Sequence, residues 1–463
     1  MTATSPSRLT FGQETAATLR LATPLAAAAV AQMGMGLTDT ILLGSLGRDA
    51  LAAGGLGAGL FFTTTAIMQA AMTGVGVLVA HARGARAHDR VSPIFRAGTL
   101  LALFASAPVM LLLAFLEPLL LLIGEPGQLA HDVGQYERIL LLAVPASLLL
   151  GTQRTYLAAI DRPHVVMAVT IIAVVLNGLL NYGLLHGAWG LPNMGYLGSA
   201  TASTIALWVM AGATALVIRS QSSMRTHLFM GKLDWTILRE LFHMGWPIAA
   251  TVAVELALFA ASGLMMGVLG NTALAAHQVA INIASTTFMV PFAVSQAVNV
   301  RVGFHLGTGD PRAAQRAGLV AFMLGIGFMV LAAIIFLAAP RRLALLFNLD
   351  PSNPGDADVI ALVIKLLAVG AVFQVFDGAQ VIAAGILRGY KDTRVPMVMA
   401  AFSYWGIGFP VAWALAFAMN AGPASVWWGL AIGLMAATAF LGVRFWRLSH
   451  RRIGILSQSI NGP

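Results

Sequence analysis

The sequence predicts an all-α polytopic membrane protein, with twelve transmembrane helices arranged as two parallel six-helix repeats. Three observations carry this. The 463 residues are 58% hydrophobic and only 10% charged, with a mean hydropathy of +0.83, whereas soluble domains carry about 25% charged residues. Apolar runs long enough for a helical crossing, which takes about 20 residues, recur along the whole chain. The first half of the chain also returns in the second. An outer-membrane barrel needs short segments of alternating polarity, and none is sustained here.

The spans fall at roughly 18–43, 53–80, 95–123, 136–158, 164–186 and 195–218, then 241–268, 276–304, 314–346, 358–386, 394–419 and 424–447. The first follows a short polar start, MTATSPSRLTFGQE, that lacks the pattern of a cleaved signal peptide. The longest polar linker is central, so the expected division is an N-lobe over 1–218, an inter-lobe loop over 219–240 and a C-lobe over 241–463. With the N-terminus inside, only Arg48, Arg138, Arg341, Arg342 and Lys365 fall near the outer side, leaving 22 of 27 basic residues inside. Positive charge collects in cytoplasmic loops. The net charge of +9 is therefore a signature of topology rather than of nucleic-acid binding, and both termini are expected in the cytoplasm. There is no Cys, which excludes disulfides and thiolate metal sites.

The repeat sets the architecture. At a shift of 223 residues Pro24 falls on Pro247, Leu46-Gly47 on Leu269-Gly270, Thr63-Thr64 on Thr286-Thr287, and Gly84 on Gly307. At a shift of 225, Leu142-Ala143-Val144 matches Leu367-Ala368-Val369. Each unit has six spans, an even number, so the second unit re-enters with the orientation of the first. Transport sites in such folds lie at the interface of the repeats.

Of 18 acidic residues, 15 fall in loops or near span ends, and the three that do not are Asp39, Glu255 and Asp377. A charge at that depth costs at least about 2.5–3.5 kcal/mol, and such residues usually face a cavity or a partner. No Lys or Arg is expected in a span interior to pair with them. Under the shift Asp39 aligns with Ser262, and Glu255 with Gln32. The two polar positions of each span lie seven residues apart, on one helix face. Gln374 and Gln380 flank Asp377, and Asn177 and Asn181 are one turn apart on the fifth span. Carboxylates beside amide oxygens suit a small hard cation or a proton, and their charge also suits a cationic substrate. Hydrogen bonding between helices is the structural alternative for each.

Other features carry less. Twenty-one Met and 23 Phe suit an adaptable pocket as well as lipid-facing packing. The ten His fall mostly near loops (His81, His88, His227, His450). Pro24, Pro145, Pro247, Pro291, Pro396 and Pro410 mark either kinks or packing features. No HExxH, Walker A, GxSxG or CxxC motif occurs, so no catalytic residue is assigned and an enzyme or ATP-driven pump has no support.

AAHQVAINIASTTFMVPFAVSQAVNVRVGFHLGTGDPRAAQRAG (275–318), QVFDGAQVIAAGILRGYKDTRVPM (374–397) and LNGLLNYGLLHG (176–187) resemble motifs of the multidrug and toxic compound extrusion (MATE) transporters, NorM branch. The resemblance spans about residues 15–447. It implies the MATE fold and export of organic cations or amphiphilic drugs against inward Na+ or H+, by alternating access. It carries Glu255 and Asp377 to the C-lobe cation site, with Na+ as first choice. Asp39, Asn177 and Asn181 go to the N-lobe site. Gln32, Ser262, Gln278, Asn282 and Gln374 become candidate cavity residues. Phe373 joins them, standing where relatives can carry Tyr, so a hydroxyl is missing there. No cofactor beyond the coupling ion is implied, and the expected setting is a monomer in the bacterial inner membrane. The rival reading is a lipid-precursor flippase, whose anionic cargo would call for Arg or Lys in the cavity.

Overall fold

In a computed structural model the chain is described over residues 10–220 and 234–461; His227 and positions 221–233 of the central loop lie outside the described residues. Among the described residues, twelve helices are long and apolar enough to cross a membrane. They are α1 (Phe11–Gly44), α2 (Arg48–Gly84), α3 (His88–Ala114), α4 (Gly127–Ala159), α5 (Pro163–His186) and α6 (Leu197–Ser220), then α7 (Trp235–Val268), α8 (Asn271–Gly307), α9 (Pro311–Ala338), α10 (Pro354–Gly389), α11 (Arg394–Ala418) and α12 (Ala424–Ile455). The last continues as helix to Asn461. Helical order satisfies every backbone polar group within its own segment, which is why apolar runs in lipid fold this way.

Local chemistry sets the helix ends. Pro311 and Pro354 occupy first-turn positions whose N–H would have no intrahelical partner. Asp310 accepts the Ala313 N–H at 2.9 Å, and Asn353 accepts that of Gly355 at 3.1 Å, capping α9 and α10. Gly47 and Gly270, partners at the 223 shift, precede α2 and α8 with φ of 115° and 121°. Only glycine adopts that backbone readily, so both copies of the repeat make the same turn.

The chain forms two compact units. One comprises Ala27–Ala249; the other comprises Met1–Ala26 with Ala250–Pro463. The two crossover points, 26/27 and 249/250, are themselves 223 residues apart. Each falls within three residues of a helix-interior proline, Pro24 in α1 and Pro247 in α7. Thus each unit contains the front of one helix whose remainder belongs to the other.

Within the first unit α4 packs against α2, α3 and α6; within the second α10 packs against α8, α9 and α12. These repeat partners are the two most buried spans. In lipid, association relies on close packing of small residues, and the second unit does this at α11–α12. A Cβ on Gly408 would stand 3.0 Å from the Gly433 Cα, and one on Gly429 would collide with the Ala412 backbone. Facing that contact, α11 is π-helical over Phe402–Gly408 and Ala414–Ala418.

Glu14 and Glu137, which the sequence reading placed in loops or near span ends, are buried at 1% and 0% exposure. Glu14 is clamped by Arg301, whose Nε and Nη2 donate at 2.8 and 2.6 Å, with His305 Nε2 at 3.0 Å. This bidentate pair fastens the front of α1 to α8 inside the second unit. Removing one partner of a buried pair costs about 3–5 kcal/mol, so Glu14→Ala should lower the thermal unfolding midpoint well below that of the parent in detergent. Gly429→Leu should do the same by overpacking, at about 1–3 kcal/mol; an unchanged midpoint in both contradicts this packing.

Candidate functional site

Two polar clusters form inside the spans, one in each unit. In the first unit Asp39 on α1 is 8% exposed. Asn181 Nδ2 on α5 donates to its Oδ1 at 2.5 Å, and Ser203 Oγ on α6 donates to its Oδ2 at 3.1 Å. Asn177 Nδ2 donates to Ser203 Oγ at 3.2 Å, and Asn181 Nδ2 also reaches Ser199 Oγ at 3.3 Å. Tyr136 Oη on α4 donates to Ser199 at 3.4 Å. Spacings of four between Asn177 and Asn181, and between Ser199 and Ser203, put each pair on one helix face.

The carboxylate of this cluster is held only by neutral donors. The amide oxygens Asn177 Oδ1 and Asn181 Oδ1 are buried without a hydrogen-bond partner among the described residues. Unpaired buried acceptors are expensive. Two beside a carboxylate make an oxygen set that fits a hard cation.

The second unit holds Glu255 on α7 and Asp377 on α10, within electrostatic reach of each other. Phe259 and Phe373, each one turn from its carboxylate, meet with ring centroids 6.2 Å apart, which fixes α7 against α10 at this level. Trp405 Nε1 on α11 donates to the Val254 carbonyl at 3.1 Å, next to Glu255. Gln380 donates through Nε2 to the hydroxyl of Tyr404, a fully buried residue of the first π-helical stretch. Tyr404 lies within electrostatic reach of Glu255, Asp377 and Arg388. Asp377 Oδ1 and Gln380 Oε1 are buried and unpaired among the described residues, so the oxygen set again fits a hard cation.

The expectation that no basic residue lies within a span near the carboxylates is corrected here. Arg388 belongs to α10, which runs three residues beyond the expected end of that span, and its charge acts on Glu255. Three turns of helix separate it from Asp377, so the guanidinium lies in electrostatic reach of Glu255 without joining the carboxylate pair. Two histidines that the sequence does not single out, His277 and His305, are buried at 2% and 6%. His277 Nδ1 accepts the Trp427 Nε1 hydrogen at 3.2 Å, which leaves its Nε2 as the protonated nitrogen when neutral.

The other candidate residues are distributed as follows. Gln374 Oε1 accepts from Thr287 Oγ1 at 2.9 Å and its Nε2 donates to the Met329 carbonyl at 3.4 Å. Ser262 donates to the Phe259 carbonyl at 2.7 Å. Gln32 is half-buried, Gln278 and Asn282 are exposed, and Asn282 Nδ2 donates to the Gln278 carbonyl at 2.7 Å. Phe373 is 1% exposed and packs on Trp427 with centroids 5.3 Å apart. Its missing hydroxyl has a counterpart nearby in Tyr404. Sequence reasoning did not single out Ser199, Ser203, Tyr404 or Arg388. Only the two serines left a readable signal, their i, i+4 spacing in GSATAS. Among the described residues no group of three or more His, Cys, Asp or Glu gathers as a metal site, so the clusters are built of mixed oxygens rather than of transition-metal ligands.

The MatE family model matches residues 24–183 and again 247–414, two copies whose starts are 223 residues apart. The chain is 48% identical over 441 residues to the probable multidrug resistance protein NorM of Burkholderia mallei, covering 95% of this chain and 94% of that protein. It is 45% identical over 446 residues to the multidrug resistance protein NorM of Burkholderia vietnamiensis, covering 96% of each. Among solved structures, the eukaryotic MATE transporter AtDTX14 superposes with a TM-score of 0.85 at 19% identity, over 96% of this chain and 98% of that one. A MOP superfamily transporter from Pyrococcus furiosus superposes at 0.86 and 17%, over 95% and 96%; likenesses at that identity speak for the fold. The twelve apolar helices, the doubled family match and the near full-length relatives place this chain in the MATE family of multi-pass membrane transporters.

Proposed function

We propose that this chain is a multidrug efflux antiporter that exports organic cations and amphiphilic drugs in exchange for inward Na+ or H+. The observation that carries the reading is the charge balance of the second unit's cluster. Glu255 and Asp377 act on each other while Arg388 reaches Glu255 from the end of α10, so the ionised pair keeps a net negative charge that a cation can neutralise. A single carboxylate pair serving both ion and substrate makes their binding mutually exclusive, and exclusion is what exchange requires.

The names of the relatives, multidrug resistance proteins, support drugs as the substrate class. Sodium is the first choice of coupling ion, because the unpaired oxygens of Asp377 and Gln380, and of Asn177 and Asn181, are hard ligands. The proposed setting is a monomer in the bacterial inner membrane with both termini cytoplasmic, an orientation supported by the lopsided distribution of Lys and Arg. Its two lobes expose the sites alternately. The flippase alternative is weaker, since an anionic cargo would meet two carboxylates for each arginine.

The test uses purified protein in liposomes with a fluorescent organic cation, applying a Na+ gradient alone and then a pH gradient alone. Export driven by the Na+ gradient is expected; movement under the pH gradient only would reassign the coupling ion, and none under either would overturn the antiport reading. Glu255→Gln and Asp377→Asn should each reduce coupled export to the level of empty liposomes while inserting normally; unchanged export in both sinks their assignment. Asn181→Ala should weaken export and lower stability by about 1–3 kcal/mol, the cost of stranding a buried acceptor. A variant with parental melting and export would leave the Asp39 cluster without a role.

A further inference from the structure

Beyond the transport site, the ends of α9, α10 and α12 in the second unit form a concentrated basic surface. Across residues 300–325, 385–400 and 440–455 the sequence has ten Arg or Lys against two Asp; with Arg301 held by Glu14, Arg444 by Asp392 and Arg388 near Glu255, seven others remain. Both acids are occupied: Asp310 caps α9, and Asp392 pairs with Arg444 at 2.8 Å. The repeat does not require this charge, since the partners of Arg312 and Arg316 at the 223 shift are Asp89 and Pro93.

The geometry gives the patch a definite form. Gln315 Nε2 on α9 donates to Ser449 Oγ on α12 at 3.3 Å, and Phe322 of α9 meets Phe445 of α12 at 6.1 Å, so the two ends lie side by side. Tyr390, just past α10, meets Phe445 at a tilt of 59° with ring centroids 6.2 Å apart. It is 5% exposed, its hydroxyl has no hydrogen-bond partner among the described residues, and it lies within electrostatic reach of Arg452.

Each of the two helices grades the same way along one face. On α9, exposed Arg312 and half-buried Arg316 lead to exposed Leu319 and Met323. On α12, exposed Phe440 and Val443 lead to exposed Arg447 and Arg451, beside Trp446. Exposed apolar surface joined to arginines through a tryptophan is the chemistry of an acyl chain ending in an anionic headgroup.

We propose that the arginine-bearing ends of α9 and α12 bind the phosphate of an anionic phospholipid from the surrounding bilayer. The arginines compensate the phosphate charge, and the acyl chains lie against Leu319, Met323 and Val443. Zwitterionic lipid, with its own ammonium group facing the arginines, binds less well.

Native mass spectrometry of the full chain, titrated with phosphatidylglycerol or with phosphatidylcholine of the same acyl chains, tests this. The expected result is preferential retention of phosphatidylglycerol, with the preference falling roughly fivefold for each arginine neutralised in Arg316→Gln and Arg452→Gln. The comparison of the two lipids on the parent chain carries the test if the arginine variants misfold. Equal retention of the two lipids overturns the proposal, as does parental preference in the variants or displacement of the lipid by inorganic phosphate.

Discussion

A carboxylate held inside an apolar helix bundle must be given partners, because leaving it unpaired costs more than the marginal stability of a fold tolerates. The two units meet that demand differently. Around Asp39 the partners are neutral: an asparagine amide and a serine hydroxyl, themselves held by further side chains on α4, α5 and α6. Around Glu255 and Asp377 the demand is left open: Asp377 Oδ1 is unpaired among the described residues, and a second acid, a guanidinium and a buried phenol lie only within electrostatic reach. The first arrangement can satisfy a charge locally. The second leaves repulsion between two acids, which under the proposed function a bound cation would relieve.

The repeat explains why both clusters exist, and its imperfection explains why they differ. Equivalent helices place polar residues at equivalent positions, so Asp39 and Ser262 occupy one position and Gln32 and Glu255 the other. Swapping which position ionises changes which neighbouring helices must answer it. The same symmetry reaches the backbone. Gly47 and Gly270 make matching left-handed turns, and the crossover points of α1 and α7 coincide under the shift. Because each of these helices contributes to both units, a displacement at Pro24 or Pro247 acts on a helix whose two ends belong to different packed bodies.

Much of this was legible before any coordinates. The twelve spans follow from hydropathy, since lipid leaves the backbone few alternatives. Asp39, Glu255 and Asp377 stand out as charges in apolar runs, and Asn177 and Asn181 as an i, i+4 pair. What was hidden depends on helix packing. Arg388 looked like a loop residue because hydropathy ends a span earlier than the helix ends. Glu14 looked like a polar leader, yet Arg301 and His305 draw it into the fold from 287 and 291 residues away. Tyr404 and the serines are ordinary in composition and gain significance only from the neighbours that α11 and α6 bring them.

The central claim is that cation and substrate compete for the carboxylates of the second unit. Equilibrium binding of a fluorescent organic cation to the purified protein, titrated with Na+ and separately with protons, tests it most directly. Competition predicts that the coupling ion weakens substrate binding, that substrate weakens ion binding by the same factor, and that both effects vanish in Asp377→Asn. Binding of substrate that is unaffected by either ion would contradict the account.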